Sequence, residues 1–237
     1  MTNNNKDIST IKTARIAGIL FIAATVLSIV SSSILLPIIN TPDYLGKISA
    51  NETRILIGSL IHIISAFACA GIAISLYPVL RKYNEGLALG SVGFRIAEMM
   101  FYVFDSIFVL SLLPLSQEFL KAGMPRASYF QTLANSLLSM RDWSILLAII
   151  TFGLAALMYY PIFYKARLVP RWLSGLGFIG GALCLTSGIL VMFNVLIMMS
   201  PIFIALNMPI FIQEMILAVW LIVKGFNPSA INSGSAR

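Results

Sequence analysis

The chain has 237 residues, of which 59% are hydrophobic and only 11% are charged, and its mean hydropathy is +0.92. An ordinary soluble domain carries roughly 25% charged residues. The composition therefore excludes a soluble globular protein and indicates an integral membrane protein. The formal net charge of +7 does not indicate nucleic-acid binding, because the basic residues are spread over the ends of the apolar runs instead of forming one patch.

Six apolar runs are each long enough to cross a bilayer, which takes about 18 or more helical residues. A helix satisfies its backbone N–H and C=O groups internally, so each run is predicted to be a spanning helix. The predicted spans are residues 16–36, 55–80, 87–113, 143–164, 172–197 and 203–223. The first run is longer than the core of a signal peptide, and we expect it to be retained. We predict an all-α bundle of six transmembrane helices, a single membrane domain over residues 1–237.

The connection between the third and fourth spans is the one long connection, and part of it has a helical pattern. Between residues 126 and 141, apolar side chains recur at three- or four-residue spacing with polar residues elsewhere on the turn. These apolar residues are Tyr129, Phe130, Leu133, Leu137 and Met140. The pattern predicts a short amphipathic helix lying on the outer surface of the membrane.

Basic residues are distributed unevenly between the two ends of the predicted spans. If the N-terminus is cytoplasmic, ten lysines and arginines lie on that side and five on the other. The cytoplasmic set is Lys6, Lys12, Arg15, Arg81, Lys82, Lys165, Arg167, Arg171, Lys224 and Arg237, and the outer set is Lys47, Arg54, Lys121, Arg126 and Arg141. The positive-inside rule therefore predicts that both termini are cytoplasmic, with the lipid bilayer and its anionic headgroups as partners.

The stretch GFRIAEMMFYVFDSIF, residues 93–108, places three charged residues inside the third span. On a helix, Glu98 lies about 60° from Arg95, and Asp105 lies about 20° from Glu98, so all three share one face. An ion at a lipid-exposed helix centre costs about 2.5 to 3.5 kcal/mol, so these side chains should face protein, water or one another. Glu214 of the sixth span should lie at the depth of Arg95 and Glu98, and Arg95 can pair with both carboxylates.

The single histidine, His62, lies on the second span at a depth compatible with Asp105. Counting Arg95 against the three carboxylates leaves a formal charge of minus two when His62 is neutral. A proton on a carboxyl group, a protonated His62 or a bound cation must neutralise that excess.

Two interpretations of this polar set remain open. In the first, Arg95, Glu98, Glu214, His62 and Asp105 form a substrate- or proton-binding site of a small-molecule or proton-linked transport protein. In the second, the protein is a non-catalytic scaffold or accessory subunit, and the buried charges only specify how the helices pack.

The sequence favours a protein without enzymatic activity, and we assign no catalytic residue. HExxH and GxSxG motifs are absent, and one histidine is too few for a bis-histidine haem. We therefore expect no metal and no cofactor. Cys69 and Cys184 lie in separate apolar runs and are interpreted as small packing residues. A lipid-processing activity that uses carboxylates is the enzymatic alternative.

Four segments resemble a family of bacterial membrane proteins known as domain of unknown function 4386. They are RIAGILFI in the first span, ALGSVGFRIAE in the third, LVPRWLSGLGFIGG entering the fifth and QEMILAVWLIVKGF in the sixth. They extend from about Arg15 to Phe226, and the likeness rests on their order and spacing. The resemblance implies a six-helix protein of the bacterial inner membrane, with Arg95 and Glu214 at recurring polar positions. It implies no activity.

Overall fold

The computed structural model describes residues 3–122 and 127–234, with side chains described for residues 10–122 and 127–231. This part of the chain forms eight helices and no strands. The helices are α1 (Asn3–Ile39), α2 (Tyr44–Ala50), α3 (Glu52–Leu80), α4 (Glu85–Ala122), α5 (Ala127–Ala166), α6 (Arg171–Met192), α7 (Pro201–Val223) and α8 (Pro228–Gly234). Six of them, α1 and α3 to α7, are long and apolar enough to span a membrane. The predicted all-α fold with six spanning helices is confirmed.

The helices differ from the predicted spans mainly at their ends. The helices α4 and α5 have 38 and 40 residues, which correspond to about 57 Å and 60 Å. Both exceed the hydrocarbon layer of a bilayer, about 30 Å thick, so each must tilt or extend into the headgroups and the water.

The amphipathic segment at residues 126–141 is not a separate surface helix. Arg126 lies outside the described residues, and residues 127–141 form the first part of α5, which continues without a break into the apolar span. No proline interrupts the chain between Ala127 and Tyr160, so nothing in the sequence ends the helix where its polarity changes. The predicted helical structure of this segment is therefore confirmed for residues 127–141, but the predicted end of that helix before Trp143 is wrong.

The chain divides into two compact units, and the first consists of residues 1–23, 68–99 and 146–237. In this unit α6 packs antiparallel to α7. The side-chain Nε2 of Gln213 donates to the carbonyl oxygen of Leu173 at 3.1 Å, and the side-chain Nδ2 of Asn207 donates to the hydroxyl of Ser187 at 2.9 Å. Between these contacts, a Cβ added to Gly180 would lie 2.9 Å from the backbone of Ile210. A small residue is therefore needed for the helices to approach this closely.

The second unit consists of residues 24–67 and 100–145. Its apolar core contains Leu45 and Ile48 of α2 together with Leu112 of α4 and Ala134 of α5. Polar contacts fix α2 against the long helices: the Tyr44 hydroxyl donates to the side-chain oxygen of Asn135 at 2.8 Å. The hydroxyl of Ser116 on α4 also donates to the carbonyl oxygen of Leu45. The short helix α2 is thus an integral part of this unit.

Candidate functional site

The first group of buried ions, which we call the inner cluster, consists of Arg95, Glu98 and Glu214 and lies in the first unit. Arg95 and Glu98 are one turn apart on α4, and Glu214 lies in the middle of α7. The Arg95 guanidinium donates through Nη1 to Glu98 Oε2 at 2.9 Å and to Oε1 at 3.2 Å. Its Nη2 donates to Glu214 Oε1 at 3.2 Å. The structure therefore brings together the three residues that the helical spacing and depth suggested.

Aromatic side chains of α5 surround the arginine. The guanidinium carbon of Arg95 lies 4.7 Å from the ring centre of Phe152 and 5.9 Å from that of Tyr159. The negative face of an aromatic ring attracts a cation, so both rings stabilise the guanidinium where water is scarce. The Tyr159 hydroxyl also donates to Glu214 Oε1 at 3.3 Å. Side chains of α4, α5 and α7 therefore meet at this one cation, and the ring centre of Phe21 on α1 lies 6.0 Å from the guanidinium carbon.

The side chains of the inner cluster are mostly buried, and that of Glu214 is the most exposed of the three. The side chains of Arg95 and Glu98 are 2% and 3% exposed, whereas that of Glu214 is 14% exposed. Two carboxylates face one guanidinium, so the cluster carries a formal charge of minus one when all three groups are ionised. Arg95 Nε has no hydrogen-bond partner among the described residues. The arrangement therefore has one negative charge in excess and one donor unused.

The second group, which we call the outer cluster, consists of His62, Asp105 and Arg141 and lies in the second unit. His62 Nδ1 lies 2.7 Å from Asp105 Oδ2, and Arg141 Nε lies 3.0 Å from Asp105 Oδ1. The arginine contact has the distance of an ion pair but not the alignment of a hydrogen bond, since neither atom has a hydrogen-bond partner. Asp105 itself is 1% exposed. Its carboxylate is therefore held between two basic side chains.

The expected charge sum of minus two needs correction, because it omitted Arg141. The position of Arg141 in the sequence predicts a surface charge of the outer side, but its side chain is only 15% exposed and pairs with Asp105. With neutral His62, the outer cluster is electrically balanced. The excess charge therefore falls on the inner cluster alone and equals minus one.

The outer cluster does not have the geometry of a hydrolytic triad. Ser106 Oγ lies 3.4 Å from His62 Nδ1, the same nitrogen that contacts Asp105. In a serine triad the acid and the nucleophile contact different ring nitrogens, so that the histidine can take a proton from one side while it is oriented from the other. Ser106 also donates to the carbonyl oxygen of Tyr102. These contacts fit a histidine that is fixed in place rather than one that activates a serine.

Other polar side chains of α3 that follow His62 at helical spacing contact residues outside the outer cluster. Ser65 donates to the carbonyl oxygen of Ala24 at 2.7 Å, and Cys69 lies beside Glu98. Cys69 and Cys184 are both buried and free. Among the described residues, no group of three or more histidines, cysteines, aspartates and glutamates is placed to hold a metal ion.

Sequence reasoning missed three side chains of these clusters. Arg141 stands at the edge of an apolar run, where an arginine usually marks a headgroup contact. Phe152 and Tyr159 stand within a run and resemble lipid-facing or packing aromatics. One signal was available, since Phe152 and Tyr159 are seven residues apart and must share a helix face.

The amino-acid sequence matches the sequence model of one protein family. The sequence model of DUF4386, a domain of unknown function, matches residues 16–225. The chain belongs to the DUF4386 family. The matched residues include both clusters and the greater part of all six spanning helices. No curated protein and no solved structure matches this DUF4386 protein.

In this DUF4386 protein, Arg95→Gln should be strongly destabilising, because it leaves two buried carboxylates facing each other. The loss of one partner from a buried ion pair costs about 3 to 5 kcal/mol. The unfolding free energy of the purified protein, measured by titration with a denaturing detergent, checks this value. Lys121→Gln is the matched control: it removes an ion pair with Glu118 that is largely exposed, and it should cost no more than about 1 kcal/mol. Equal losses in the two variants would contradict the role given to Arg95.

The outer cluster offers a comparison between two aspartates. Asp105→Asn should lower the unfolding free energy by about 2 to 3 kcal/mol, because it removes the buried carboxylate that contacts both His62 and Arg141. Asp142 also contacts Arg141, with Oδ1 3.3 Å from Nη1, but its side chain is 62% exposed. Asp142→Asn should therefore change the unfolding free energy by no more than about 0.5 kcal/mol. The same detergent titration measures both variants. If Asp142→Asn proved the more damaging, the outer cluster would not be an internal ion pair.

Proposed function

We propose that this protein is a proton-linked binding or transport protein of the membrane and that the inner cluster takes up and releases one proton. The observation that carries the proposal is the second carboxylate, which a single guanidinium leaves uncompensated. An uncompensated ion is costly inside a membrane, so either a proton or a cationic ligand must balance it. Intramembrane carboxylates of this kind are typical of proton relays in transporters.

Glu214 is the carboxylate to which we assign the exchange. Glu98 is closed off and receives two hydrogen bonds from Arg95, whereas Glu214 is 14% exposed and receives one from Arg95 and one from Tyr159. A group that exchanges protons needs a path to water, and Glu214 is the more open of the two. Arg95 would bind an anionic substrate only by giving up a carboxylate or by using its free Nε.

A membrane scaffold is the second candidate, and the enclosure of Arg95 favours it. The guanidinium is paired with carboxylates of two helices and flanked by Phe152 and Tyr159 of a third. Such a network could serve only to fix the packing of α4, α5 and α7. The two candidates differ in whether the network changes its proton content while the protein remains folded.

Infrared difference spectroscopy measures that change, because the C=O stretch of a protonated carboxylic acid is separate from the bands of carboxylates. We expect the folded wild-type protein to show a carboxylic acid band that titrates with pH and disappears in Glu214→Gln. In liposomes that contain a pH-sensitive dye, the wild type should also dissipate an imposed proton gradient faster than Glu214→Gln. Glu118→Gln, which removes a carboxylate that is 60% exposed, is the control and should keep both signals.

The outcomes separate the candidates. A carboxylic acid band that titrates with pH and is lost in Glu214→Gln supports proton uptake by the inner cluster. A faster loss of the proton gradient with the wild type than with Glu214→Gln supports proton transport as well. If no buried carboxylic acid titrates while Glu214→Gln is folded, the proton-linked proposal is wrong and the scaffold is favoured.

We further propose that the protein lies in the inner membrane of a bacterium with both termini in the cytoplasm. The uneven distribution of lysine and arginine supports this orientation. Lys47→Cys and Lys82→Cys, both at exposed positions and made in a background that lacks Cys69 and Cys184, test it. A membrane-impermeant maleimide should label Lys47→Cys, but not Lys82→Cys, in intact cells. The reverse pattern would invert the orientation.

A further inference from the structure

At one end of the first unit, a cavity of about 590 Å³ opens where α5 ends and α4 begins. Its polar lining includes three basic side chains, those of Lys82, Lys165 and Arg167, together with Asn84, Asn227 and Ser229. Within residues 10–122 and 127–231, whose side chains the structure describes, no acidic residue lines it. We call it the basic cavity. It contains none of the residues of the inner or the outer cluster.

The charges of these three groups are not balanced within the described part of the chain. Among the described residues, no carboxylate lies within ion-pair distance of Lys82, Lys165 or Arg167. The three side chains are exposed, so water and salt screen part of their mutual repulsion, and an anion bound between them would relieve the rest. The phenol of Tyr83, also in the lining, adds no negative charge, because burial raises the pKa of Tyr83 above its ordinary value and its hydroxyl donates to the carbonyl oxygen of Ala230.

The backbone at Arg167 adds an independent observation. Arg167 has a φ of 53°, in the left-handed region that glycine usually occupies where a helix ends. The next amide, that of Leu168, donates to the carbonyl oxygen of Phe163 at 3.2 Å, which completes this helix end. A glycine would adopt this conformation with less strain, as Gly225 does with a φ of 71°. The sequence therefore places a long cation at a backbone position that disfavours it, and that cation lines the cavity.

A second cavity, of about 600 Å³, continues the positive surface. It shares Arg167 and Asn227 with the basic cavity and adds Arg171, Lys224 and Trp220. Tryptophan is enriched at the level of the lipid headgroups, and basic pockets between spanning helices bind lipid phosphates. Cations at the end of α5 also balance the negative end of its helix dipole. That role accounts for Lys165 and Arg167, and also for Lys82 at the end of α3. It does not require that the cations of two helix ends line one cavity, as these three do.

We propose that the basic cavity is a phosphate-binding site, in which Arg167 and the two lysines hold the phosphate group of an anionic phospholipid or of a free phosphate. Arginine presents several N–H donors in a plane that suits phosphate oxygens, and the lysines supply point charges. The site is separate from the proposed proton site and stands whether or not that proposal holds.

The test measures the thermal unfolding midpoint of the full-length protein in uncharged detergent micelles. The probes are inorganic phosphate, chloride at equal ionic strength, short-chain phosphatidylglycerol and short-chain phosphatidylcholine. We expect phosphatidylglycerol to raise the midpoint more than phosphatidylcholine does. The half-effective concentration should be about tenfold higher for the combined variant Lys82→Gln, Lys165→Gln and Arg167→Gly. A response to inorganic phosphate identifies free phosphate as sufficient, and a response to phosphatidylglycerol alone identifies the lipid.

Arg81→Gln is the matched control, because Arg81 is an exposed neighbour of Lys82 that does not line the cavity. It should shift the half-effective concentration by no more than about twofold. If the combined variant does not fold, Arg167→Gly decides, since glycine suits the φ of 53° and removes only the charge. The proposal is overturned if neither phosphate nor phosphatidylglycerol acts beyond its matched probe, or if Arg81→Gln weakens the response as much as the cavity variants do.

Discussion

The guanidinium of Arg95 is the point on which the first unit depends. It lies inside an apolar bundle, where a lone cation would be strongly unfavourable, and its two carboxylate partners come from α4 and α7. Because hydrocarbon offers no alternative partner, this pairing selects the rotation of α4 that points Arg95 towards Glu214. The aromatic rings of α5 then close over the cation. One charged residue thus constrains three helices that apolar packing alone would position less specifically.

Much of this arrangement was predictable from the sequence because the bilayer limits the alternatives. The spans follow from apolar length, and the pairing of Arg95 with Glu98 follows from three-residue spacing on a helix. Glu214 could be added because it lies halfway along its run, at the depth of Arg95. For the ion pairs, the cost of an unpaired ion in lipid made one arrangement far better than the others. The family resemblance added the order of the segments but no role for any residue.

Sequence reasoning missed the features for which one local sequence is compatible with two different placements of the residue. Arg141 at the end of an apolar run could face lipid phosphates, yet it turns inward to Asp105. The polar segment before Trp143 could lie on the membrane or extend the helix, since its periodicity is the same in both cases. The basic cavity is lined by residues far apart in the chain, at 82, 165 and 227, so only the fold brings them together. The local sequence determines neither the direction of Arg141, nor the helix boundary before Trp143, nor the lining of the basic cavity.

The two clusters differ in charge balance, and this difference separates their chemistry. In the outer cluster, Asp105 is matched by Arg141, so the set is neutral before His62 takes a proton and positive afterwards. In the inner cluster, a proton on one carboxylate brings the set to neutrality, and its release restores an excess negative charge. A buried set that becomes neutral on protonation loses an unfavourable charge, whereas one that becomes positive gains one. For the proton exchange proposed above, the inner cluster is therefore the set in which a proton removes an excess charge, and Glu214, at 14% exposed, is its least buried carboxylate.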